Sequence, residues 1–136
     1  MPIEKFNPPT LEKPFGFAHA VTARGGTTVY LSGQLPTNSD GALVGEGDYA
    51  AQAERAMLNL VVALEAAGGT ANDLVKTTIL VVGHTPETQA LVFAGFGAAS
   101  RRVGSKPVAA LLFGCTSLVL PGALIEVEGI AVIEAD

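Results

Sequence analysis

Two glutamates in the last predicted strand, Glu126 and Glu128, are the side chains in this sequence best placed to do chemistry. Residues two apart in a β-strand share a face, so both carboxylates interrupt the apolar face formed by Leu124, Ile130 and Val132. A carboxylate in apolar surroundings needs a partner or a function, because burying an unpaired charge is unfavourable. Two neighbouring carboxylates suit a general acid or base, whereas on a solvated edge they are an ordinary polar surface.

Other nucleophiles and metal ligands are sparse. His19 and His84 lack the paired His, Cys or carboxylate spacing of a zinc site, so no metal is expected. Cys115 follows a glycine in an apolar segment, where a free thiol is more often a small buried hydrophobic group than a nucleophile. Ser32 and Gly33 lack the preceding glycine of a nucleophile elbow, which leaves serine-hydrolase chemistry without support.

Residues 45–50 match the G-x-G-x-x-A pattern of dinucleotide-binding loops and open a predicted helix. The context differs from that of a nucleotide site, because the preceding strand is very short and Glu46 and Asp48 would repel a pyrophosphate. We therefore interpret the segment as a loop that caps a helix, and we expect no cofactor.

Three basic residues, Arg101, Arg102 and Lys106, lie at the end of the second predicted helix and beyond it. Such a cluster could bind a carboxylate. Positive charges at a helix C-terminus are favoured by the helix dipole, however, and more often form a solvated surface.

Hydrophobic periodicity and turn residues predict the elements that must position these side chains. A helix over 48–67 begins at Asp48, and a second helix begins after Thr85 with Pro86 and ends before Gly104. The N-terminal stretch to Pro14 contains four prolines and is expected to be a surface strap without a regular ladder. Strands are predicted over residues 17–22, 27–31, 75–82, 108–113 and 123–133, the first two as a hairpin and the last two as buried strands.

This order predicts an α+β fold, with a mostly antiparallel sheet and two helices packed on one face. Strand edges stay exposed in such a sheet. Because the chain is also strongly apolar, covering them by self-association predicts a homo-oligomer.

Composition limits the classes of function. A chain of 136 residues predicts a single domain over 1–136. The net charge of −5 and the pI of about 4.9 indicate no basic surface for a phosphate backbone, so no nucleic-acid partner is expected.

A single cysteine and a start without an apolar signal core suit a cytoplasmic protein. The uncharged run over 108–125 is broken by Pro121 and Gly122, so no membrane span is expected.

Four segments in register carry a resemblance to a known family: residues 30–36 (YLSGQLP), 51–52 (AQ) with the helix continuing to 64–68 (LEAAG), 73–78 (DLVKTT) and 120–128 (LPGALIEVE). They resemble the RidA family, the reactive-intermediate deaminases also known as L-PSP endoribonucleases or perchloric-acid-soluble proteins. The resemblance covers most of the chain and implies the strand and helix order described above.

The resemblance also implies a homotrimer with a fold similar to chorismate mutase and clefts at the subunit interfaces. The better-known members of the family hydrolyse short-lived enamines and imines to 2-oxo acids and ammonia, so the resemblance implies this chemistry without a metal or cofactor. An arginine holds the substrate carboxylate, and a glutamate positions the attacking water. Glu126 matches that glutamate, Ser32 and Gly33 match the loop that lines the cleft, and Phe17 matches an aromatic pocket wall.

Two positions depart from the family pattern. The arginine expected two residues after Pro107 is Ala109, and the asparagine of the second helix is Leu91 by ungapped counting from residues 76–78. The resulting pocket is less polar, and we expect it to bind a 2-imino acid poorly.

Two hypotheses follow from these residues. The first is an enzyme in which Glu126 activates water against a larger or uncharged imine, enamine or related metabolite. The second is a non-catalytic trimer that binds a small molecule in an apolar cleft. The ribonuclease activity in the family's name is a weaker third hypothesis, because the chain offers little positive charge and few aromatic side chains to RNA.

Overall fold

The computed structural model describes residues 3–135, in which the elements follow the predicted order after one additional N-terminal strand. The elements are β1 (Ile3–Phe6), β2 (Ala20–Ala23), β3 (Thr27–Gln34), α1 (Tyr49–Ala66), a 3-10 turn (Ala71–Asp73), β4 (Leu74–Val82), α2 (Pro86–Val103), β5 (Ala109–Cys115) and β6 (Ile125–Ile133).

Both helices begin and end where their capping residues predict. The Asp48 carboxylate accepts a hydrogen bond from the Ala51 N–H at 3.0 Å, and Thr85 accepts one from the Thr88 N–H at 3.1 Å. Gly104 ends α2 with a φ of 74°, a left-handed conformation that favours glycine. Neither helix combines the length and the apolar character needed to cross a membrane, within the part of the chain that is described.

Four strands form one mixed sheet in the order β3-β6-β4-β5. β6 is antiparallel to both β3 and β4, whereas β5 is parallel to β4. The α+β class is therefore confirmed. The sheet, predicted to be mostly antiparallel, is mixed, with one parallel pair at its edge. The reason is α2, which carries the chain back to the starting end of β4 before β5 begins.

The predicted hairpin between residues 17–22 and 27–31 is wrong. β2 pairs with β1, from Ile3 opposite Ala23 to Phe6 opposite Ala20, and β3 pairs with β6. The expectation that the N-terminal stretch forms no ladder is also wrong, because Ile3–Phe6 contains no proline and keeps its N–H donors. Pro2, which contributed to that expectation, lies outside the described residues.

The core lies between the sheet and α1, and α2 packs beside α1. Gly95 permits that helix contact, since a Cβ built at this position would collide with the carbonyl oxygen of Ala50. This supports interpreting the small residues around Gly95 as packing positions. The fully buried side chains of the core include Ala53, Ala56, Leu60, Leu64, Val81, Val92, Ile125 and Val127.

One buried polar side chain, Gln52 of α1, joins the helix to the loops that lead into α1 and β6. Its Nε2 donates to the carbonyl oxygens of Gly45 and Gly122, both at 3.1 Å, and its Oε1 accepts from the Leu124 N–H at 2.7 Å. The side chain is fully buried, so these bonds replace the ones that water would make. They hold the residue before Ile125 and so determine where β6 enters the sheet.

We predict that Gln52→Leu lowers the free energy of unfolding by about 3 kcal/mol, because two carbonyl oxygens and one N–H would lose their buried partner. Urea denaturation measures the change. Gln89→Leu is the matched control, since Gln89 bonds only the exposed His84 ring, at 2.8 Å, and its loss should cost less than about 1 kcal/mol. Equal losses in the two variants would contradict the role given to Gln52.

Candidate functional site

Glu126 lies in the middle of the sheet, on the face that the helices leave open. β6 has neighbours on both sides, and Glu126 is opposite Leu80 of β4. The residues on either side, Ile125 and Val127, are fully buried under the helices, so alternation turns Glu126 and Glu128 to the other face. We call this face, which carries Glu126, the open sheet face.

The Ser32–Gly33 loop predicted from the sequence lies against Glu126. The ladder between β3 and β6 breaks between Leu31 and Gln34, so that Ser32 and Gly33 bulge at this point. A Cβ built at Gly33 would collide with the Glu126 carboxylate, which therefore occupies the space that a side chain would fill. The structure thus brings Ser32, Gly33 and Glu126 together.

The Glu126 carboxylate is half-buried and forms no ion pair with any side chain in residues 3–135. Glu128, two residues further on, is exposed opposite Thr78. No group of three side chains suited to metal binding forms over those residues. An unpaired, half-buried carboxylate next to a backbone bulge is able to accept a proton or orient a polar small molecule.

Phe17 and Ala109 form a second group, in neighbouring backbone segments. The Ala18 N–H donates to the Val108 carbonyl oxygen at 2.9 Å, which ties the Phe17 segment to the start of β5. The Phe17 ring also packs edge-on against His19, with ring centroids 5.1 Å apart. Ala109 itself lies on the open sheet face, since it is opposite Lys76 of β4.

The two groups lie apart within one chain. Ala109 is opposite Lys76 of β4, whereas Glu126 is opposite Leu80, four residues further along the same strand. At about 3.3 Å per residue the separation along β4 is about 13 Å. A small substrate that needs both groups must therefore use them from different chains, or use only one group.

Leu91 lies in the second turn of α2 with 48% of its surface exposed. It does not line the large cavity of the chain, and its direction on the helix is roughly opposite to that of Phe93 and Phe96, which do. The structure does not bring Leu91 next to Glu126 or Ala109.

The large cavity, which sequence analysis missed, lies between α2 and the strands β4 and β5. It has a volume of about 580 Å³ and includes Phe17, Phe93, Phe96 and Lys106 in its lining. The only local signal was the run of small residues around Gly97 in α2, which does not by itself distinguish close packing from an unfilled space.

The three basic residues do not act as one cluster. Arg102 is exposed and pairs with Glu54 of α1 at 3.3 Å. Lys106 instead lines the large cavity and, together with Lys5, a smaller one of about 240 Å³. Partial burial lowers the pKa of Lys5, and the nearby Lys106 ammonium lowers it further.

The prediction that residues 108–113 form a buried strand is wrong for the single chain. β5 is an edge strand, and its open-face side chains Leu111 and Phe113 are 53% and 43% exposed. Tyr30 of β3 is 78% exposed on the same face. Cys115 ends β5, half-buried and with a free thiol. The open sheet face thus presents large apolar side chains around Glu126.

We predict that Gly33→Ala moves the Glu126 carboxylate but changes the thermal midpoint little, because the clashing atom is the end of a flexible side chain. Gly95→Ala is the matched control. Its new methyl would strike the Ala50 backbone, so the free energy of unfolding should fall by about 1–3 kcal/mol. Crystal structures and thermal denaturation of both variants measure the effects. An unmoved Glu126 in Gly33→Ala would contradict the contact.

Comparison with known proteins places these features in a family. The model of the family described as Endoribonuclease L-PSP matches residues 11–133. No curated protein gave a significant match.

Solved structures of similar proteins cover nearly the whole chain. A Rid-family protein of unknown function from Yersinia pestis, YyfB, is 36% identical with a TM-score of 0.87, over 98% of this chain and 100% of that one. The YjgF gene product of E. coli is 29% identical with a TM-score of 0.70, over 87% of this chain and 88% of that one. RidA from Psychrobacter sp. PAMC 21119 is 28% identical with a TM-score of 0.67, over 90% and 92%.

Proposed function

We propose an activity for this chain from the premise that it belongs to the Endoribonuclease L-PSP family, which includes the Rid proteins. The proposed activity is hydrolysis of a reactive enamine or imine, or a related small metabolite, in a cleft between subunits of a homotrimer. The observation that carries it is the contact between Gly33 and the unpaired Glu126 carboxylate. We propose the cytoplasm as the location, from the single cysteine.

The proposed reaction needs one well-placed base. Water adds to the imine carbon, the electron pair of the C=N bond moves to nitrogen, and Glu126 accepts the proton of the attacking water. Glu126 then returns that proton to nitrogen, which gives a carbinolamine. In the second stage Glu126 takes the hydroxyl proton of the carbinolamine and passes it to nitrogen, so that the C=O bond forms, the C–N bond breaks and ammonia leaves. A fixed carboxylate lowers the barrier by orienting the water and by accepting its proton.

The proposed trimer is supported by two features of the single chain. The open sheet face exposes Tyr30, Leu111 and Phe113, an apolar surface that a second copy would cover. The separation of Ala109 from Glu126 also favours a site built by two chains. In the proposed cleft, Phe17 and Ala109 of one subunit face Ser32, Gly33 and Glu126 of its neighbour.

The proposed substrate is less polar than a 2-imino acid. Ala109 offers no charge to a carboxylate, and Phe17 offers an apolar wall. Leu91 is included in the proposed cleft because its exposed side chain is available to a neighbouring subunit. These side chains favour a larger or uncharged imine.

We predict that Leu111→Asp dissociates the trimer, because a carboxylate would be buried without a partner in an apolar interface. Light scattering coupled to size-exclusion chromatography measures the mass. Val62→Asp is the matched control, since Val62 is exposed on α1 and away from the open sheet face. A monomeric wild-type protein would reject the proposed assembly.

We predict that Glu126→Gln lowers the rate of ammonia release at least about 100-fold, because the amide cannot accept the proton. The assay uses uncharged imines generated in place from several primary amines by a flavin amine oxidase, with 2-imino acids generated by an amino-acid oxidase for comparison. Glu128→Gln, on the same strand and face, is the matched control and should keep most of the rate.

Ala109→Arg tests the substrate class, and it should gain activity on 2-imino acids.

The non-catalytic binding hypothesis is the second candidate, and the missing arginine favours it. A protein of that kind would bind an imine analogue without accelerating ammonia release, in the wild type and in Glu126→Gln alike. Full turnover by Glu126→Gln would reject the proposed role of this residue in the enzyme.

A further inference from the structure

The large cavity exists because α2 packs along α1 and leaves a gap between itself and the edge of the sheet. The contact between Gly95 and Ala50 draws α2 towards α1. Between α2 and the strands, three of the lining positions carry small side chains, Gly97 and Ser100 on the helix and Ala110 on β5. Since none of them reaches across the gap, about 580 Å³ remains unfilled, which is within the range of small-molecule sites.

The walls of this cavity are aromatic and aliphatic. The side chains that enclose most of it are Phe15, Phe17, Phe93, Phe96, Val108 and Leu112. The hydroxyl-bearing Thr77, which is almost fully buried, and Ser100 add a few polar groups. A ligand with an aromatic or branched aliphatic body suits these walls, because burying it removes apolar surface of both partners from water.

One side of the cavity carries positive charge. Lys106 contributes to its lining and also to the smaller cavity next to it, where Lys5 lies. Burial and the Lys106 ammonium both lower the pKa of Lys5, which indicates that the two amines are close enough to repel. Neither lysine forms an ion pair within residues 3–135, although Asp73 and Glu134 line the smaller cavity with them. An anion at Lys106 would relieve this repulsion.

We propose that the large cavity is a binding site for a small carboxylic acid with an aromatic or branched aliphatic body, whose carboxylate contacts Lys106. Thr77 and Ala110, which line the cavity, belong to the helix-covered face of the sheet, and Glu126 belongs to the open sheet face. The site therefore lies on the opposite face of the sheet from Glu126 and does not depend on the proposed hydrolysis, although Phe17 lines the cavity and also belongs to the proposed cleft.

The test uses 4-phenylbutyrate and its neutral analogue 4-phenylbutan-1-ol as probes, with calorimetry for affinity and amide NMR shifts for location. We expect the acid to bind, with shifts at Thr77, Gly97 and Ala110. We expect the alcohol to bind about tenfold more weakly, as for loss of a hydrogen bond to a charged group. Shifts confined to the open sheet face, equal affinity for both probes, or no binding of the acid would each overturn the proposal.

Variants separate the two parts of the proposed site. Lys106→Met should weaken the acid about tenfold and leave the alcohol unchanged, whereas Arg55→Met, the same charge change on the exposed side of α1, should alter neither. Ala110→Leu should weaken binding of both probes by narrowing the cavity, and Ala94→Leu, on the exposed side of α2, should not.

Gly97→Leu narrows the same space from the helix side, so a folding defect in one cavity variant does not remove the test. Folding of each variant is checked by its amide spectrum. An unchanged affinity for the acid in both folded variants would overturn the proposal. Ammonia release, measured separately with Glu126→Gln, reports on the proposed function and not on this site.

Discussion

The rest of the structure depends on three hydrogen bonds of the buried Gln52 amide, which fix the position of α1 relative to the start of β6. They connect α1 to the loop before it and to the residue that precedes β6. Because a strand alternates its faces, the entry point of β6 determines which of its side chains enter the core. With Ile125 and Val127 buried under α1, Glu126 has to face the other way. A shift by one residue would bury the carboxylate and expose the core.

The two faces of the sheet therefore have different chemistry. The helix-covered face contains the core below α1 and, below α2, a cavity that small side chains fail to fill. The open face combines an unpaired carboxylate with large exposed apolar side chains. The edge strand β5 contributes to both, since Ala110 and Leu112 point into the cavity while Leu111 and Phe113 lie on the open face.

The positions of the basic side chains on the two sheet faces bear on which ligands the chain is able to bind. The arginine that the family resemblance places at the start of β5 is absent, and Ala109 in its place is opposite Lys76 of β4, which is exposed on the same open face. Lys106 adds positive charge on the cavity side, close to Lys5. Lys106 on the cavity side and the unpaired Glu126 carboxylate on the open face thus lie on opposite sides of the sheet.

The sequence by itself determined the features that rest on local contacts. The N-cap at Asp48, the capping residues of α2, Gly104 as its end and the alternation of β6 around Glu126 are all recognisable within a few residues of chain, and the structure confirms them. Short segments such as YLSGQLP and LPGALIEVE also identified the family. The roles of Glu126, Phe17, Ser32, Gly33, Leu91 and Ala109 in a reaction stay predictions.

Only the tertiary structure decided which strands pair and what space is left between the layers. The sequence predicts a hairpin between β2 and β3, but β2 pairs with β1. β5 runs parallel to β4 because α2 returns the chain to the same end of the sheet. The contact of Gly33 with Glu126 joins residues far apart in the chain, and the cavity depends on where α2 rests against α1. Strand pairing and layer spacing are set by the sum of many distant contacts, so no short segment of sequence contains them.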